Sequence, residues 1–395
     1  MDRAVITGIG LVTPFGSSRR DLAARFVQGD CGRADDRAGA CLEVDRLPAE
    51  AVPADRRQRL GRMDRLCQLL MTASYLAVED AGLSLGDEDA ERVGLSFGTG
   101  LGCLLTDAEY NRAIVEGGPA AASPRLFAYT VSSAAAGEVS IALGVKGPNV
   151  TVHLGLAAGL GAVGYGADLI EAGKADVVLA AGADVIGPPI VEALRDMGLL
   201  KDRRETTAIL NARPGIFPAE AAVVLVLEGE RRARARGRPA LGRIAGYAAG
   251  FEPTLTGAER RTTGVTATIR RALERSDCRA GAPQVVFTSA HGTPLDQIER
   301  RAVAEALGAG GAAVLLAPKR VTGEAFGASG VLALALAVEL LAGTRPVGDG
   351  IGIDLDGAPL PGAEVERRLG ATHAVLIDAL CYTGNVVALV VGRGP

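Results

Sequence analysis

Short runs of β-branched and apolar residues alternate along the chain with longer stretches rich in alanine and leucine. This alternation is typical of α/β proteins, in which strands and helices form separate layers around a core. The short runs predict seven strands, at residues 4–8, 93–97, 177–181, 222–227, 284–288, 312–316 and 386–391. The longer stretches predict seven helices, at residues 19–27, 63–81, 134–143, 157–172, 262–274, 294–307 and 326–341. An Arg-, Gly- and Pro-rich segment at residues 228–242 predicts an internal boundary.

The segment GPNVTVHLGLAAGL, at residues 147–160, reads as a strand that runs into a tight turn and then into a helix of small and apolar residues. A helix of this pattern, apolar on nearly every side, is expected to be buried. The N-terminus of a helix stabilises negative charge and lowers the pKa of a thiol, so a nucleophile elbow places its reactive atom at such a turn. The residue at this turn is Leu156, which can neither ionise nor attack. The pattern therefore predicts the frame of a cysteine-dependent acyl-transfer site without its nucleophile.

Composition narrows the class of protein. The chain has 395 residues, of which 48% are hydrophobic, so a sizeable core is expected. A net charge of −4 and the lack of a basic block argue against nucleic acid as the main partner, and we interpret the arginine run at residues 231–236 as a solvated helix face. The six cysteines have no metal-ligand spacing, so neither a metal site nor a cofactor is predicted. With no leader and no membrane-length apolar run, we expect a cytoplasmic protein.

Several polar residues stand where chemistry is expected. His291 follows the predicted strand 284–288 and is flanked by small residues, so its ring is well placed to point into a cleft, and we interpret it as functional in this chain or in its ancestor. His153 lies three residues before Leu156, and we interpret it as packed in the core or at an interface. Glu324 precedes an apolar helix and is either a partner of the helix dipole or a site carboxylate.

A glycine turn, GTGLG at residues 98–102, follows a predicted strand. Its spacing differs from GxGxxG, so a close approach of two backbones near a pocket is favoured over nucleotide binding. After this turn, Cys103, Thr106 and Tyr110 share one face of a helix, which either lines a channel or packs in the core. Cys381 is an alternative nucleophile whose neighbours give no sign of activation.

Taken together, these segments resemble the β-ketoacyl synthases of the thiolase superfamily, and the resemblance runs almost from end to end. The motifs that carry it are VITGIGLVTPFG (5–16), RMDR (62–65), KGPN (146–149), AGAD (181–184) and AHGT (290–293). The resemblance implies an α/β fold of the thiolase-like five-layered αβαβα type, built from two similar halves. We expect these halves at residues 1–235 and 236–395.

The reactive centre departs from the family pattern. The family uses a cysteine to carry the acyl chain and two histidines to assist decarboxylation of malonyl-carrier protein and to stabilise the resulting charge. By the resemblance, the cysteine position is Leu156, the first histidine is His291 and the second is Glu324, while Lys319 matches the lysine that precedes the second histidine. The family's gating FGFGG sequence is replaced by residues 379–384. No catalytic residue is therefore assigned, and the losses cluster at the reactive centre while the scaffold motifs persist.

This pattern is similar to the chain length factor, the ketosynthase β-subunit of type II polyketide synthases. That subunit lacks the cysteine, forms a heterodimer with an active ketosynthase α-subunit, and shapes the tunnel that holds the polyketide chain delivered by an acyl carrier protein. By the resemblance, Cys103, Thr106 and Tyr110 fall near tunnel-gating positions, and we add Leu380 to the predicted tunnel residues.

Three functions are compatible with the sequence. The first is a non-condensing partner subunit, which completes the tunnel of an active partner and forms a dimer interface through residues 151–154 and 126–133. The second is an enzyme with a rebuilt site, an acyltransferase or cyclase using His291 and Glu324. An ionised Glu324 cannot donate a hydrogen bond unless burial raises its pKa. The third is a binding protein that docks a carrier protein. The clustered losses favour the first.

Overall fold

The computed structural model describes residues 2–28, 41–87, 89–201, 215–255, 260–276, 283–290, 292–308, 313–344 and 352–394. The strands in these ranges are β1 (Ala4–Val12), β2 (Val93–Gly98), β3 (Asn149–Val152), β4 (Val177–Asp184), β5 (Ala221–Gly229), β6 (Gly242–Phe251), β7 (Val285–Phe287), β8 (Val314–Leu316), β9 (Gly352–Ile353), β10 (Ala374–Leu380) and β11 (Asn385–Arg393). The helices are α1 (Arg19–Gln28), α2 (Ala54–Leu60), α3 (Arg65–Asp80), α4 (Leu104–Gly117), α5 (Pro124–Phe127), α6 (Ala134–Leu143), α7 (Ala158–Glu171), α8 (Pro188–Asp196), α9 (Glu230–Ala235), α10 (Thr263–Arg275), α11 (Leu295–Leu307), α12 (Lys319–Thr322), α13 (Ser329–Leu341) and α14 (Gly362–Ala371).

The strands repeat one topology twice. The first five lie in the order β3-β2-β4-β5-β1, and a second set lies in the matching order β8-β7-β10-β11-β6. In both sets the first three strands are parallel and the last two run antiparallel to their neighbours. The sets meet where β1 pairs antiparallel with β6 over two residue pairs, Val5 with Arg243 and Ile6 with Gly242. The fold therefore consists of two similar halves.

The helices form three layers around these strands. The central layer is α7 and α13, which contact each other and lie between the two sets of strands. On the outer side of the first set lie α3 and α6, and on the outer side of the second lie α10 and α11. The result is the expected α/β fold of the thiolase-like αβαβα type. None of the helices in the described ranges is long and apolar enough to cross a membrane.

Two features of the central layer follow from its burial. A Cβ atom on Gly164 would lie 2.1 Å from the ring of Tyr247, so only glycine lets α7 approach β6 this closely. Every residue of α13 is buried, including the charged Glu339, whose Oε1 accepts a hydrogen bond from Nε of Arg19 at 2.6 Å. This ion pair compensates the charge that interrupts an otherwise apolar helix.

All fourteen predicted elements are present, with shifted ends. The last predicted helix begins later than expected, because Phe326–Ala328 forms a 3₁₀ turn and α13 starts at Ser329. The arginine run begins in α9 as predicted, but it is not fully solvated, because Arg232 and the C-cap residue Arg236 form ion pairs with the buried Glu228. The strand β6 was not predicted, and it begins where the predicted boundary segment ends. The limits of the two halves, 1–235 and 236–395, stay a prediction.

Candidate functional site

The turn between β3 and α7 has the shape that the sequence predicts. Gly155 adopts a φ of +58°, and a Cβ atom there would lie 2.4 Å from Sγ of Cys381, so the turn requires glycine on both counts. Gly155–Ala157 forms a 3₁₀ turn, and α7 begins at Ala158. Leu156 therefore occupies the elbow position at the N-terminal end of a buried helix.

The side chain of Leu156 fills this position. Leu156 is 5% exposed and belongs to an apolar cluster formed by Leu156, Ile186, Ile190, Val191, Leu194, Ile216, Phe326 and Cys381. Three of these residues come from α8, which covers the elbow. Burying a leucine side chain contributes about 1.5–3 kcal/mol to stability. The packed side chain of Leu156 thus fills the space at the elbow position.

The space beside Leu156 is small. The cavity between Leu156, Ser289, Lys319 and Asp378 has a volume of about 10 Å³. A cavity needs at least ~10 Å³ to hold one water molecule, so this one has room for a single water. This cavity between described residues is too small for an acyl chain.

The resemblance predicts Glu324 at the position of the family's second histidine, and the structure shows its carboxylate fully engaged. Its Oε2 lies 2.7 Å from Nζ of Lys319, and its Oε1 accepts hydrogen bonds from N–H of Phe326 at 2.9 Å and from Oγ of Ser329 at 2.8 Å. Glu324 is 3% exposed and Lys319 is also largely buried. Of the two roles left open by the sequence, the geometry matches a carboxylate that holds the first turn before α13. Phe326 adopts a φ of +49°, which is strained for a residue with a side chain.

A second pair of acidic residues extends this buried network. Glu299 on α11 and Asp378 on β10 are each 2% exposed, and both carboxyl groups accept a hydrogen bond from N–H of Ser289. Nζ of Lys319 lies 3.4 Å from Oγ of the same serine. Burial, and next the charge of Asp378, raise the pKa of Glu299 well above its ordinary value.

This acidic pair is not predicted from the sequence. The two residues are separated by 79 positions, so no local spacing connects them. One signal was available, because Asp378 interrupts the otherwise apolar strand AVLIDAL. A carboxylate in a strand buried on both faces indicates a compensating partner elsewhere in the fold.

The glycine turn after β2 is held by Asp184, at the end of β4. The Asp184 carboxylate accepts hydrogen bonds from Oγ1 of Thr99 and from N–H of Gly100, Leu101 and Gly327. Gly327 lies in the turn before α13, so Asp184 joins the corresponding turns of the two halves. Burial raises the pKa of Asp184, while these four hydrogen bonds oppose the rise. The geometry matches the favoured interpretation, an approach of two backbones beside the site.

The other predicted residues have different surroundings. His291 falls outside the described residues. Leu380 is 1% exposed and its side chain packs in the core beneath α10 and α11, while its N–H donates a hydrogen bond to Oγ of Ser289. Cys381 packs in the Leu156 cluster, and its Sγ accepts a hydrogen bond from Oγ1 of Thr383. His153 is exposed at the end of β3.

The three predicted gating residues on and beside α4 have different surroundings. Sγ of Cys103 lies 3.7 Å from Oγ of Ser132, and the ring centroid of Tyr110 lies 5.9 Å from that of Phe127. Thr106 is instead buried and faces the N-terminus of α3. Cys103 and Tyr110 therefore contact the predicted interface segment, whereas Thr106 points into the body of the protein.

The two halves differ at their outer edges. In the second half, β9 pairs with the outer strand β8. In the first half, no strand of the described ranges pairs with the outer edge of β3. Four large apolar side chains on segments near this edge are between 44% and 63% exposed: Leu104, Phe127, Val131 and Ile141. An open strand edge with apolar neighbours is typical of a surface that binds another chain. The described residues hold no group of three His, Cys, Asp or Glu side chains that could bind a metal ion.

Comparison with known proteins identifies the family of this chain. The chain matches the beta-ketoacyl synthase N-terminal domain over residues 1–233 and the C-terminal domain over residues 241–344. The chain therefore belongs to the β-ketoacyl synthase family.

Two relatives cover most of the chain. A 3-oxoacyl-[acyl-carrier-protein] synthase 2 from Synechocystis sp. is 28% identical over 95% of this chain and 93% of its own length. The tetracenomycin polyketide synthase ketoacyl synthase alpha subunit from Streptomyces glaucescens is 29% identical over 85% of both chains. Among solved structures, a chain of the ishigamide ketosynthase/chain length factor has a TM-score of 0.79, with 23% identity over 99% of both chains. This last similarity shows a shared fold.

Proposed function

We propose that this chain is a non-condensing subunit of the chain-length-factor kind, which pairs with an active ketosynthase and shapes the tunnel for a growing polyketide chain. The observation that carries the proposal is Leu156, a buried leucine at the position where the family's chemistry needs a cysteine. A leucine cannot form a thioester, so the acyl chain has to be carried by another subunit.

The surroundings of Leu156 weigh against an enzyme with a rebuilt site. A rebuilt acyltransferase or cyclase would need space for an acyl group and a carboxyl group available to the substrate. The cavity of about 10 Å³ provides too little space, and the Glu324 carboxylate is already engaged by Lys319, Phe326 and Ser329. An ionised, fully hydrogen-bonded carboxylate has no proton to donate to an enolate.

The open edge of β3 supports the pairing part of the proposal. Its backbone groups and the apolar side chains of Phe127, Val131 and Ile141 form a surface that we assign to the ketosynthase partner. An apolar surface of this kind is stabilised when another chain removes it from water.

Tunnel shaping is assigned to Cys103 and Tyr110, because both contact the same interface segment. Replacing Tyr110 by alanine removes the aromatic contact with Phe127 and widens the space at the interface. We therefore expect Tyr110→Ala to give longer products. The carrier protein is the second partner in this proposal, since the family's condensation takes its extender unit from a carrier. The two halves at residues 1–235 and 236–395 form the subunit.

Co-expression with a ketosynthase that retains its cysteine and both histidines tests the proposal. We expect the two chains to co-elute in size-exclusion chromatography as a 1:1 complex. The complex should form polyketide from malonyl-carrier protein, whereas this chain alone should form none. A homodimer that turns over an acyl thioester by itself would instead support the rebuilt enzyme. Copurification with a carrier protein but never with a ketosynthase would support the docking protein.

A further inference from the structure

The position of α4 depends on few buried contacts. The structure describes all fourteen residues of this helix, and among them Thr106 alone is buried. The other side chains are half-buried or exposed, so the packing that fixes most helices in a core is limited here. Leu105 packs against two apolar clusters from its half-buried position, and the hydrogen bond of Thr106 adds a polar contact that fixes how α4 is oriented.

That contact is made by Asp64. Oγ1 of Thr106 donates a hydrogen bond to Oδ2 of Asp64 at 3.1 Å. The other oxygen of the same carboxylate, Oδ1, accepts N–H of Cys67 at 2.9 Å and so forms the N-cap of α3. The helix α3 is anchored by buried residues, among them Leu69 and Leu70, against the first set of strands. Asp64 thus connects the weakly packed α4 to a firmly packed helix.

We propose that Asp64 is a positioning residue for product length, which acts through Thr106 by fixing the rotation of α4 about its axis. This inference rests on the proposed function, because it concerns the tunnel that Cys103 and Tyr110 are assigned to shape. Successive residues of an α-helix are rotated by about 100°. Viewed along the helix axis, Cys103 and Tyr110 therefore point about 60° and about 40° away from the direction of Thr106, both to the same side.

The expected displacement is comparable with one elongation step. At the outer radius of a helix, about 5–6 Å from its axis, a rotation of ~20° moves a side-chain tip by about 2 Å. One elongation step adds two C–C bonds of about 1.5 Å each to the chain. Loss of the Asp64 contact should thus shift products by one two-carbon unit, although Asp64 itself touches no part of the tunnel face.

The test uses the reconstituted complex and compares five variants. Asp64→Ser retains a good N-cap residue but is too short to reach Thr106, and Thr106→Val removes the hydroxyl while keeping the shape. Both should shift the product distribution by one two-carbon unit, and the double variant should shift it no further. Asp64→Asn, which keeps the cap and can still hydrogen-bond Thr106, should retain the wild-type distribution. Asp89→Ser makes the same substitution at another N-cap and should also have no effect.

The readouts separate folding, pairing and product length. Melting temperature and co-elution with the ketosynthase show whether each variant folds and pairs, and mass spectrometry of the products gives their length. Shifted products from both Asp64→Ser and Thr106→Val, in complexes that still pair, support the inference. Unchanged products from both, with a shift in Tyr110→Ala, would overturn it and leave the proposed function standing. If Tyr110→Ala also leaves the products unchanged, the tunnel role itself fails, and the inference fails with it.

Discussion

The buried ion pair between Lys319 and Glu324 gives the sharpest test of how this site is stabilised. Glu324→Gln keeps the volume of the side chain and an oxygen that can accept the hydrogen bonds of Phe326 and Ser329. The amide removes the negative charge and turns an N–H group towards the ammonium of Lys319. The substitution therefore removes the charge that Glu324 places 2.7 Å from a largely buried cation.

The expected loss is large. Removing one member of a buried ion pair costs about 3–5 kcal/mol, because the remaining charge is uncompensated. Unfolding of a globular protein gains ~2.1 cal/mol/K per residue near the melting temperature, which amounts to about 0.8 kcal/mol/K for the 395 residues. A loss of ~4 kcal/mol then lowers the melting temperature by about 5 °C.

Differential scanning calorimetry at neutral pH measures this shift. The matched control is Glu230→Gln, since Glu230 pairs with the exposed Arg234 in a similar contact of 2.7 Å. Solvent screens exposed pairs, so the control should melt with the wild type. The double variant Lys319→Met/Glu324→Gln should melt at a higher temperature than Glu324→Gln alone, because it removes both charges of the pair.

Equal melting temperatures for Glu324→Gln and Glu230→Gln would show that the buried pair contributes no more than an exposed one. That result would mean that Lys319 finds water or another acceptor when Glu324 is neutral. The Glu324 carboxylate would then be available to a substrate, and the rebuilt-enzyme function would gain weight.

Three other substitutions have defined outcomes. Leu156→Ala should destabilise the chain by about 2–5 kcal/mol in urea unfolding, because it leaves a cavity in the apolar cluster; a loss below ~1 kcal/mol would mean that the elbow is loosely packed. Burial raises the pKa of Glu299 above its ordinary 4.5, so its contribution to stability is greatest below that pH and decreases as pH rises towards the native pKa. Glu299→Gln should therefore show a smaller fall in melting temperature than the wild type from about pH 5 to pH 8, and parallel curves would contradict this. Ile141→Asp should abolish co-elution with the ketosynthase while Met197→Asp, at a similarly exposed residue of the described structure, should not; equal co-elution would place the interface elsewhere.

The sequence predicted the central layer of the fold well, because burial leaves a strong pattern there. The run of small and apolar residues in α7 is incompatible with a surface position, and the same holds for α13. The strand β6 could not be predicted from its own residues, since GRIAGYAAGF has glycines and alanines where strands usually have β-branched residues. Its glycines allow α10 to approach the strand closely, because a Cβ atom on Gly246 would lie 2.2 Å from the carbonyl oxygen of Ala272.

The candidate site, like the fold, could be predicted from the sequence only in part. Leu156 and Glu324 stand out in the sequence because the turns around them are typical of a reactive centre while their side chains are not. The contacts of these residues depend on the fold. Lys319 reaches Glu324 because Gly323, with a φ of +70°, returns the chain between them, and the pairing of Glu299 with Asp378 requires α11 to lie beside β10. Helical spacing alone does not predict the surroundings of Thr106. It places Thr106 on one helix face with Cys103 and Tyr110, whereas in the structure Thr106 forms a hydrogen bond with Asp64.

In the proposed function, the acyl chain is carried by the partner and never by this chain. Intact-protein mass spectrometry of the reconstituted complex, after incubation with an acyl thioester of the starter unit, tests this most directly. We expect an acyl adduct on the ketosynthase, lost when its cysteine is replaced by alanine, and none on the chain with Leu156. An adduct on this chain that persists in the cysteine-to-alanine complex would contradict the account.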